Sequence, residues 1–180
     1  MSLLVPTINQ ILSILTIVGQ IGIIFLIAVF LLYKNKKSVA ALLNFINKNA
    51  ILIAFIIALA SLAGSLFYSE IAGFEPCNLC WYQRIFIYPQ VILLGLAFWK
   101  KDENIWDYIL ALSVIGAVIA GYQYLLQLGV APALPCSAVG YSASCSQRFV
   151  LQFGYITIPL MAFTAFLLLI ILGVIRKLKR

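Results

Sequence analysis

Two cysteines separated by two residues, Cys77 and Cys80, are the side chains of this chain best suited to chemistry. Thiols at this spacing can close a small disulfide ring and open it again by exchange, so the pair can carry electrons. Pro76 comes directly before the pair and an apolar run follows it, which is typical of the first turn of a helix. A helix N-terminus favours a thiolate, because its dipole and free N–H groups stabilise negative charge. The stretch predicts an exchangeable dithiol at the start of a helix.

Arg84 is the second candidate for function. In a helix that begins near Cys77, the residues Cys77, Cys80 and Arg84 fall at i, i+3 and i+7 and share one face. A cation one turn beyond Cys80 would favour an anion on that sulfur. The alternative is an arginine that extends its side chain to the membrane surface. Because Arg84 shares a face with both cysteines, the functional interpretation is favoured.

A second cysteine pair, Cys136 and Cys145, has eight residues between its members. The intervening residues are rich in Gly, Ser and Ala, which predicts a flexible ring that opens easily, whereas a structural disulfide usually joins distant elements. Arg148 lies three residues beyond Cys145. Its expected role is to anchor the chain at the membrane interface, with an effect on the Cys145 thiolate as the alternative.

The composition predicts the class of protein that holds these residues. The chain has 180 residues, of which 64% are hydrophobic and 9% charged, whereas a soluble domain has about 25% charged residues. Five apolar runs approach the length of about 20 residues that crosses a bilayer, and each must be helical there to satisfy its backbone. The runs cover approximately Ile8–Leu32, Asn49–Phe67, Trp81–Trp99, Ile105–Gln127 and Ile156–Ile175.

The basic residues predict the orientation of these spans. If successive spans cross the membrane in alternating directions, ten of the twelve basic residues fall on one side. Basic residues are concentrated in this way in the cytoplasmic connections of membrane proteins. The ten are Lys34, Lys36, Lys37, Lys48, Lys100, Lys101, Arg176, Lys177, Lys179 and Arg180. The N-terminus and all four cysteines then lie outside the cytoplasm, where disulfides persist. The net charge of +7 thus reports orientation in a lipid bilayer, and no nucleic-acid partner is expected.

Two of the runs carry small residues at spacings that allow another helix to approach closely. We expect both sets to form helix–helix contacts. They are Ala60, Ser61, Gly64 and Ser65 in the second run, and Gly116, Ala117, Ala120 and Gly121 in the fourth.

Three uses of the four cysteines were compared. A zinc site is disfavoured, because the second pair is spaced too widely for a zinc ribbon and the chain has no histidine; no metal is expected. A transporter or scaffold with two structural disulfides would explain the number of cysteines, but not the closeness of Cys80 to an arginine in a membrane helix. A dithiol relay explains both, since a flexible pair can meet a soluble protein and a pair at the bilayer edge can meet a lipid-soluble oxidant.

The stretch from Pro76 to Arg84, PCNLCWYQR, followed by Tyr88-Pro89, resembles the signature of the disulfide bond formation protein B family, DsbB and its BdbC-like relatives. Pro135-Cys136 and Cys145-Ser146 resemble the second pair of that family, although with a shorter spacing than in its best-known members. The resemblance extends from about Asn49 to the C-terminus.

The resemblance implies an all-α membrane protein, a four-helix transmembrane bundle to which this chain adds one N-terminal transmembrane helix. Residues 1–48 would hold that helix and a cytoplasmic connection. Residues 49–180 would form the DsbB-like domain, with extracytoplasmic redox loops at 69–80 and 128–155. The expected location is the bacterial cytoplasmic membrane, with the C-terminus in the cytoplasm.

The resemblance also implies an activity. Members reoxidise a DsbA-like dithiol oxidase of the thioredoxin fold and pass its electrons to the membrane quinone pool, ubiquinone or menaquinone. Cys136 would form the mixed disulfide with the partner, and Cys145 would resolve it and attack Cys77. Cys80 would be released as a thiolate against the quinone, and Arg84 would stabilise the charged complex. A protein like vitamin K epoxide reductase is the enzymatic alternative, with a different cysteine order.

Overall fold

A computed structural model describes residues 4–32, 37–131 and 144–178 of the chain. Within them the architecture is all-α, with five α-helices in chain order. A π-helical turn, Phe67–Ile71, continues the second helix toward the first cysteine pair. The helices are α1 (Leu4–Leu32), α2 (Lys37–Leu66), α3 (Asn78–Lys100), α4 (Trp106–Leu128) and α5 (Ile158–Leu178).

Four of the described helices are long and apolar enough to cross a membrane, by length and composition. Their candidate spans are Leu4–Val29, Ala41–Ile71, Trp106–Leu128 and Ile158–Lys177. The predicted span Trp81–Trp99 lies within α3, but α3 is not among the four. Its polar residues Gln83, Arg84 and Gln90 lower its hydropathy, and all three are buried against neighbouring helices.

Helix α3 is packed between α2 and α4, and α5 packs against both α2 and α4. Helices α4 and α5 approach each other closely at Gly116, where an added Cβ would overlap the ring of Phe166. Phe166 is almost fully buried and belongs to the main hydrophobic core. The prediction that the small residues of the fourth run form a helix contact is therefore confirmed.

The two ends of the bundle differ in chemistry. At one end, ion pairs join Arg176 to Glu103 and Lys177 to Asp107, so the α3–α4 connection and the first turn of α4 meet the last turn of α5. The opposite end of α4 terminates at Gly129, whose φ of +78° is left-handed and suits glycine. The cysteines that the structure describes are all at this second end, away from the ion pairs.

Aromatic rings connect the two segments that carry the cysteines. The ring of Phe74, which precedes the first pair, stacks on Tyr68 with centroids 5.8 Å apart and on Phe149 with centroids 5.0 Å apart. Arg148 donates from Nε and Nη2 to the carbonyl oxygen of Gln127 in the last turn of α4, where a cation is favourable. The chain around Cys145 is therefore fastened both to α4 and to the segment before α3.

Candidate functional site

The first cysteine pair begins α3. Helix α3 starts at Asn78, Cys77 is its N-cap residue, and Pro76 lies just outside the helix. The prediction of a dithiol at a helix N-terminus is confirmed, with the proline placed slightly earlier than expected. Cys80 lies in the first turn, and its sulfur is 3.0 Å from that of Cys77. The two sulfurs are thus placed for bond formation with each other.

Cys145 lies in the same buried cluster as this pair. Cys77 and Cys145 are each 2% exposed and share the cluster with Leu126 of α4, while Cys80 packs against it. Cys136 falls outside the described residues. Among the described residues, no group of three or more His, Cys, Asp or Glu side chains is arranged to hold a metal ion. The structure therefore brings one cysteine of the second pair to the first pair.

Gln123 of α4 connects the sulfurs to the bundle, and sequence reasoning did not identify it. Its amide Nε2 donates to Cys77 Sγ at 3.1 Å and to Cys80 Sγ at 3.3 Å. Its Oε1 accepts from Gln83 Nε2 at 2.5 Å. Gln123 is 2% exposed, so these bonds form away from solvent. A glutamine inside an apolar membrane run was the available signal, because such polar residues are rare there.

The two thiols of the pair have different electrostatic surroundings. The hydrogen bond from Cys77 lowers the pKa of Cys80 from 9.0 to about 6, and this outweighs the opposing effect of burial. The Gln123 amide and the charge of Arg84 act in the same direction. The hydrogen bond to Cys80, together with burial, raises the pKa of Cys77. Cys80, which precedes the apolar run Trp81–Trp99, is therefore the favoured thiolate.

Arg84 is held inside the bundle. Its Nε and Nη2 donate to Oγ and to the backbone oxygen of Ser65 on α2, each at 2.9 Å. Tyr88 donates to the same Oγ at 3.2 Å, and the guanidinium lies 5.0 Å from the centroid of the Trp81 ring. Arg84 is only 8% exposed, which does not fit an arginine extended to the membrane surface. Its positive charge is directed into the interior near Cys80.

Cys80 and Arg84 line a cavity of about 330 Å³. Most of its walls are apolar and come from α1, α2 and α5, and its charged and amide side chains are Glu75, Gln83, Arg84 and Gln123. The small residues of α2, Ala60, Ser61, Gly64 and Ser65, line this cavity. Two of them also meet another helix as expected, Gly64 at Leu12 of α1 and Ser65 at Arg84 of α3. An apolar cavity with a sulfur and a guanidinium at one side suits a flat, polar ring that carries an apolar substituent.

The fold and the site define a class: an all-α protein with helices able to span a membrane and an exchangeable cysteine pair at a helix N-terminus. The family model described as "Disulfide bond formation protein DsbB" matches residues 47–175. The chain therefore belongs to the DsbB family of disulfide bond formation proteins.

Individual relatives agree with this assignment. The chain is 42% identical to Disulfide bond formation protein C of Bacillus subtilis (strain 168) over 120 residues, which cover 66% of this chain and 85% of the relative. It is 38% identical to Probable disulfide formation protein C 2 of Bacillus anthracis over 138 residues, 77% of this chain and 97% of the relative. It is 43% identical to the SPbeta prophage-derived disulfide bond formation protein B of Bacillus subtilis over 126 residues, 70% of this chain and 84% of the relative. No solved structure gives a significant match.

Proposed function

We propose that this protein is a membrane-embedded thiol:quinone oxidoreductase. It reoxidises a reduced, DsbA-like dithiol protein of the thioredoxin fold and passes the two electrons to ubiquinone or menaquinone in the membrane. The reaction supports disulfide formation outside the cytoplasm of a bacterial cell. The proposal extends the family assignment to a particular partner and electron acceptor.

One observation carries the proposal: Cys80 and Arg84 line the same apolar cavity. A lipid-soluble oxidant in this cavity would lie next to the sulfur that is the favoured thiolate. The guanidinium of Arg84 would stabilise negative charge on the sulfur and on the ring beside it, since opposite charges attract strongly where water is excluded. The apolar walls around this thiol do not favour a water-soluble oxidant in the same way.

The residue roles follow the order of thiol exchange. The partner's thiolate attacks Cys136 and forms a mixed disulfide, which frees Cys145 to attack Cys77 and release Cys80 as a thiolate. The partner's second thiol then closes the partner's own disulfide and frees Cys136, which takes Cys145 back from Cys77. Each exchange forms one S–S bond and breaks one, so Cys77 and Cys80 end as a dithiol. When bound, the quinone supplies an acceptor for two electrons and two protons, and the disulfide of the pair re-forms.

The membrane arrangement belongs to the same proposal. Helices α2 to α5 form a four-helix transmembrane bundle, and α1 is an additional transmembrane helix. The end that holds the cysteines faces outward, and the basic end, with the C-terminus, faces the cytoplasm. The charge distribution supports this orientation. Although α3 is less apolar than the other helices, its polar residues are buried inside the bundle and need not meet lipid.

Replacing Cys80 with serine tests the proposal. We expect purified Cys80→Ser protein to lose quinone reduction by a reduced DsbA-like protein, down to the uncatalysed background, because a hydroxyl cannot form the S–S bond. Quinol formation is followed by absorbance. The exposed Ser144→Ala variant is the control and should keep wild-type turnover. Undiminished turnover in Cys80→Ser would reject the relay.

A further inference from the structure

Helix α1 is docked on the bundle in a defined rotation. It packs against α5, where an added Cβ at Gly19 would lie 3.2 Å from both Thr164 and Leu168. Gln20 Nε2 donates to Thr164 Oγ1 at 3.4 Å. The hydroxyl residues Ser13 and Thr16 of α1 are buried, at 0% and 8% exposed. A helix that only anchored the chain in lipid would not require hydroxyl groups on the side that faces the protein.

Helix α1 leaves a cleft beside α2. Among the described helices, α1 and α2 are not one of the closely packed pairs, although they are adjacent in sequence. They approach each other at Gly64, where an added Cβ would lie 3.4 Å from a methyl group of Leu12. Leu15 of α1 and Ile56 of α2 both line the cavity and are 54% and 55% exposed. The cavity therefore reaches the apolar outer surface of the bundle between these two helices.

The same cavity combines polar and apolar lining residues. Cys80, Arg84 and Gln123 line it on one side, whereas Leu12, Leu15 and Thr16 contribute the wall that belongs to α1. This shape matches a molecule with a redox-active polar ring and a long apolar tail. A phospholipid chain could occupy the apolar walls but offers no polar ring to place beside Cys80 and Arg84.

We propose that the cleft between α1 and α2 admits the isoprenoid tail of the quinone, and that Leu12, Leu15 and Thr16 determine which tails fit. The inference rests on the function proposed above and adds a role for α1. The family match begins at residue 47, within α2, so these three residues lie outside it. Helix α1 then completes a binding site whose redox groups belong to the family region.

Filling the cleft tests this role. In Leu15→Trp and Thr16→Trp, the indole occupies space that the tail needs, so the KM for a long-tailed quinone should rise about tenfold, as expected for lost apolar contacts. The KM for a quinone without a tail should stay within about twofold, which also shows that each variant is folded and active. Ile14→Trp is the matched control, because Ile14 is adjacent in the chain and half exposed but does not line the cavity. Its KM values should equal those of the wild type.

A binding readout completes the test. A quinone with a diazirine near the end of its tail should crosslink, in the wild-type protein, to the peptide that contains Leu12 to Thr16. Excess unlabelled long-tailed quinone should abolish this crosslink. Crosslinks confined to other helices, or abolished equally well by excess phospholipid, would overturn the inference. Normal quinone turnover with unchanged KM values in both tryptophan variants would overturn the role of α1 but not the proposed function. A wild-type protein that reduces no quinone would overturn the proposed function.

Discussion

At the residue scale, Gln123 is the main addition that the structure makes to the site. One amide donates to both sulfurs of the pair and accepts from Gln83, so a single side chain orients the dithiol against α4. Hydrogen bonds to a thiolate favour the charged form, and they are stronger where water is excluded. Gln123 is therefore a positioning residue for the reactive sulfur.

The reactivity of Cys80 should depend on pH accordingly. Because the pKa of Cys80 is lowered to about 6, alkylation of the reduced protein at Cys80 should rise with pH and reach half its maximum near pH 6. In Gln123→Leu the midpoint should move upward by about one pH unit, since one hydrogen bond to the thiolate is lost. Iodoacetamide labelling, quantified by mass spectrometry, measures both midpoints.

The control for this experiment is Gln90→Leu. Gln90 is also a buried glutamine, but it accepts from Ser113 and does not contact the sulfurs. Its substitution should leave the midpoint near pH 6, even if the protein becomes less stable. A wild-type midpoint in Gln123→Leu would remove Gln123 from the positioning role.

The sequence was sufficient to place Cys77, Cys80 and Arg84 together on one helix, but not to find the side chains that support them. Cys77, Cys80 and Arg84 follow from spacing on one helix, which is local information. Gln123 and Ser65 act from other helices, and their partners depend on how those helices are rotated and shifted against α3. A single sequence does not contain that register.

At the element scale, the contact between α4 and α5 depends on the absence of a side chain at Gly116. In Gly116→Ala the new methyl group would overlap the buried ring of Phe166, so the free energy of unfolding should fall by about 1–3 kcal/mol. Unfolding of the purified protein in detergent, followed by circular dichroism, measures the change.

Gly22→Ala is the matched control for Gly116→Ala. Gly22 is also helical, but an added Cβ there meets nothing within 4 Å. This control should be as stable as the wild type or more so, because alanine favours a helix by up to about 1 kcal/mol over glycine. Equal stabilities of the two variants would mean that Phe166 moves aside without cost.

The helices themselves were largely predictable, because long apolar runs in this composition have few alternatives to helix. Two features of the helices were not predictable from the sequence. Helix α2 begins at Lys37, well before the predicted start of the apolar run at Asn49. The small residues of α2 were expected to be a contact surface, but whether such residues admit a helix or leave a cavity depends on where α1 docks.

At the scale of the whole molecule, labelling of single cysteines measures the proposed orientation. With all four native cysteines replaced by serine, Val130→Cys and Asp102→Cys place one thiol at each end of the bundle, and both positions are exposed. In intact cells a membrane-impermeant maleimide should label Val130→Cys and should reach Asp102→Cys only after permeabilisation. The reverse pattern would put the cysteine pairs in a reducing compartment and contradict the proposed function.

The stacking of Phe74 on Phe149 has a kinetic consequence. It ties together the segments that carry Cys77 and Cys145, so these two sulfurs meet without diffusing through the solvent. Reactions between groups held in this way proceed at effective concentrations far above those that separate molecules reach. In the proposed cycle, bond exchange between Cys77 and Cys145 is then a first-order event, and its rate does not depend on the abundance of any partner. The speed of that cycle would be set by events at its two ends, the encounter with the dithiol protein and the departure of the quinol.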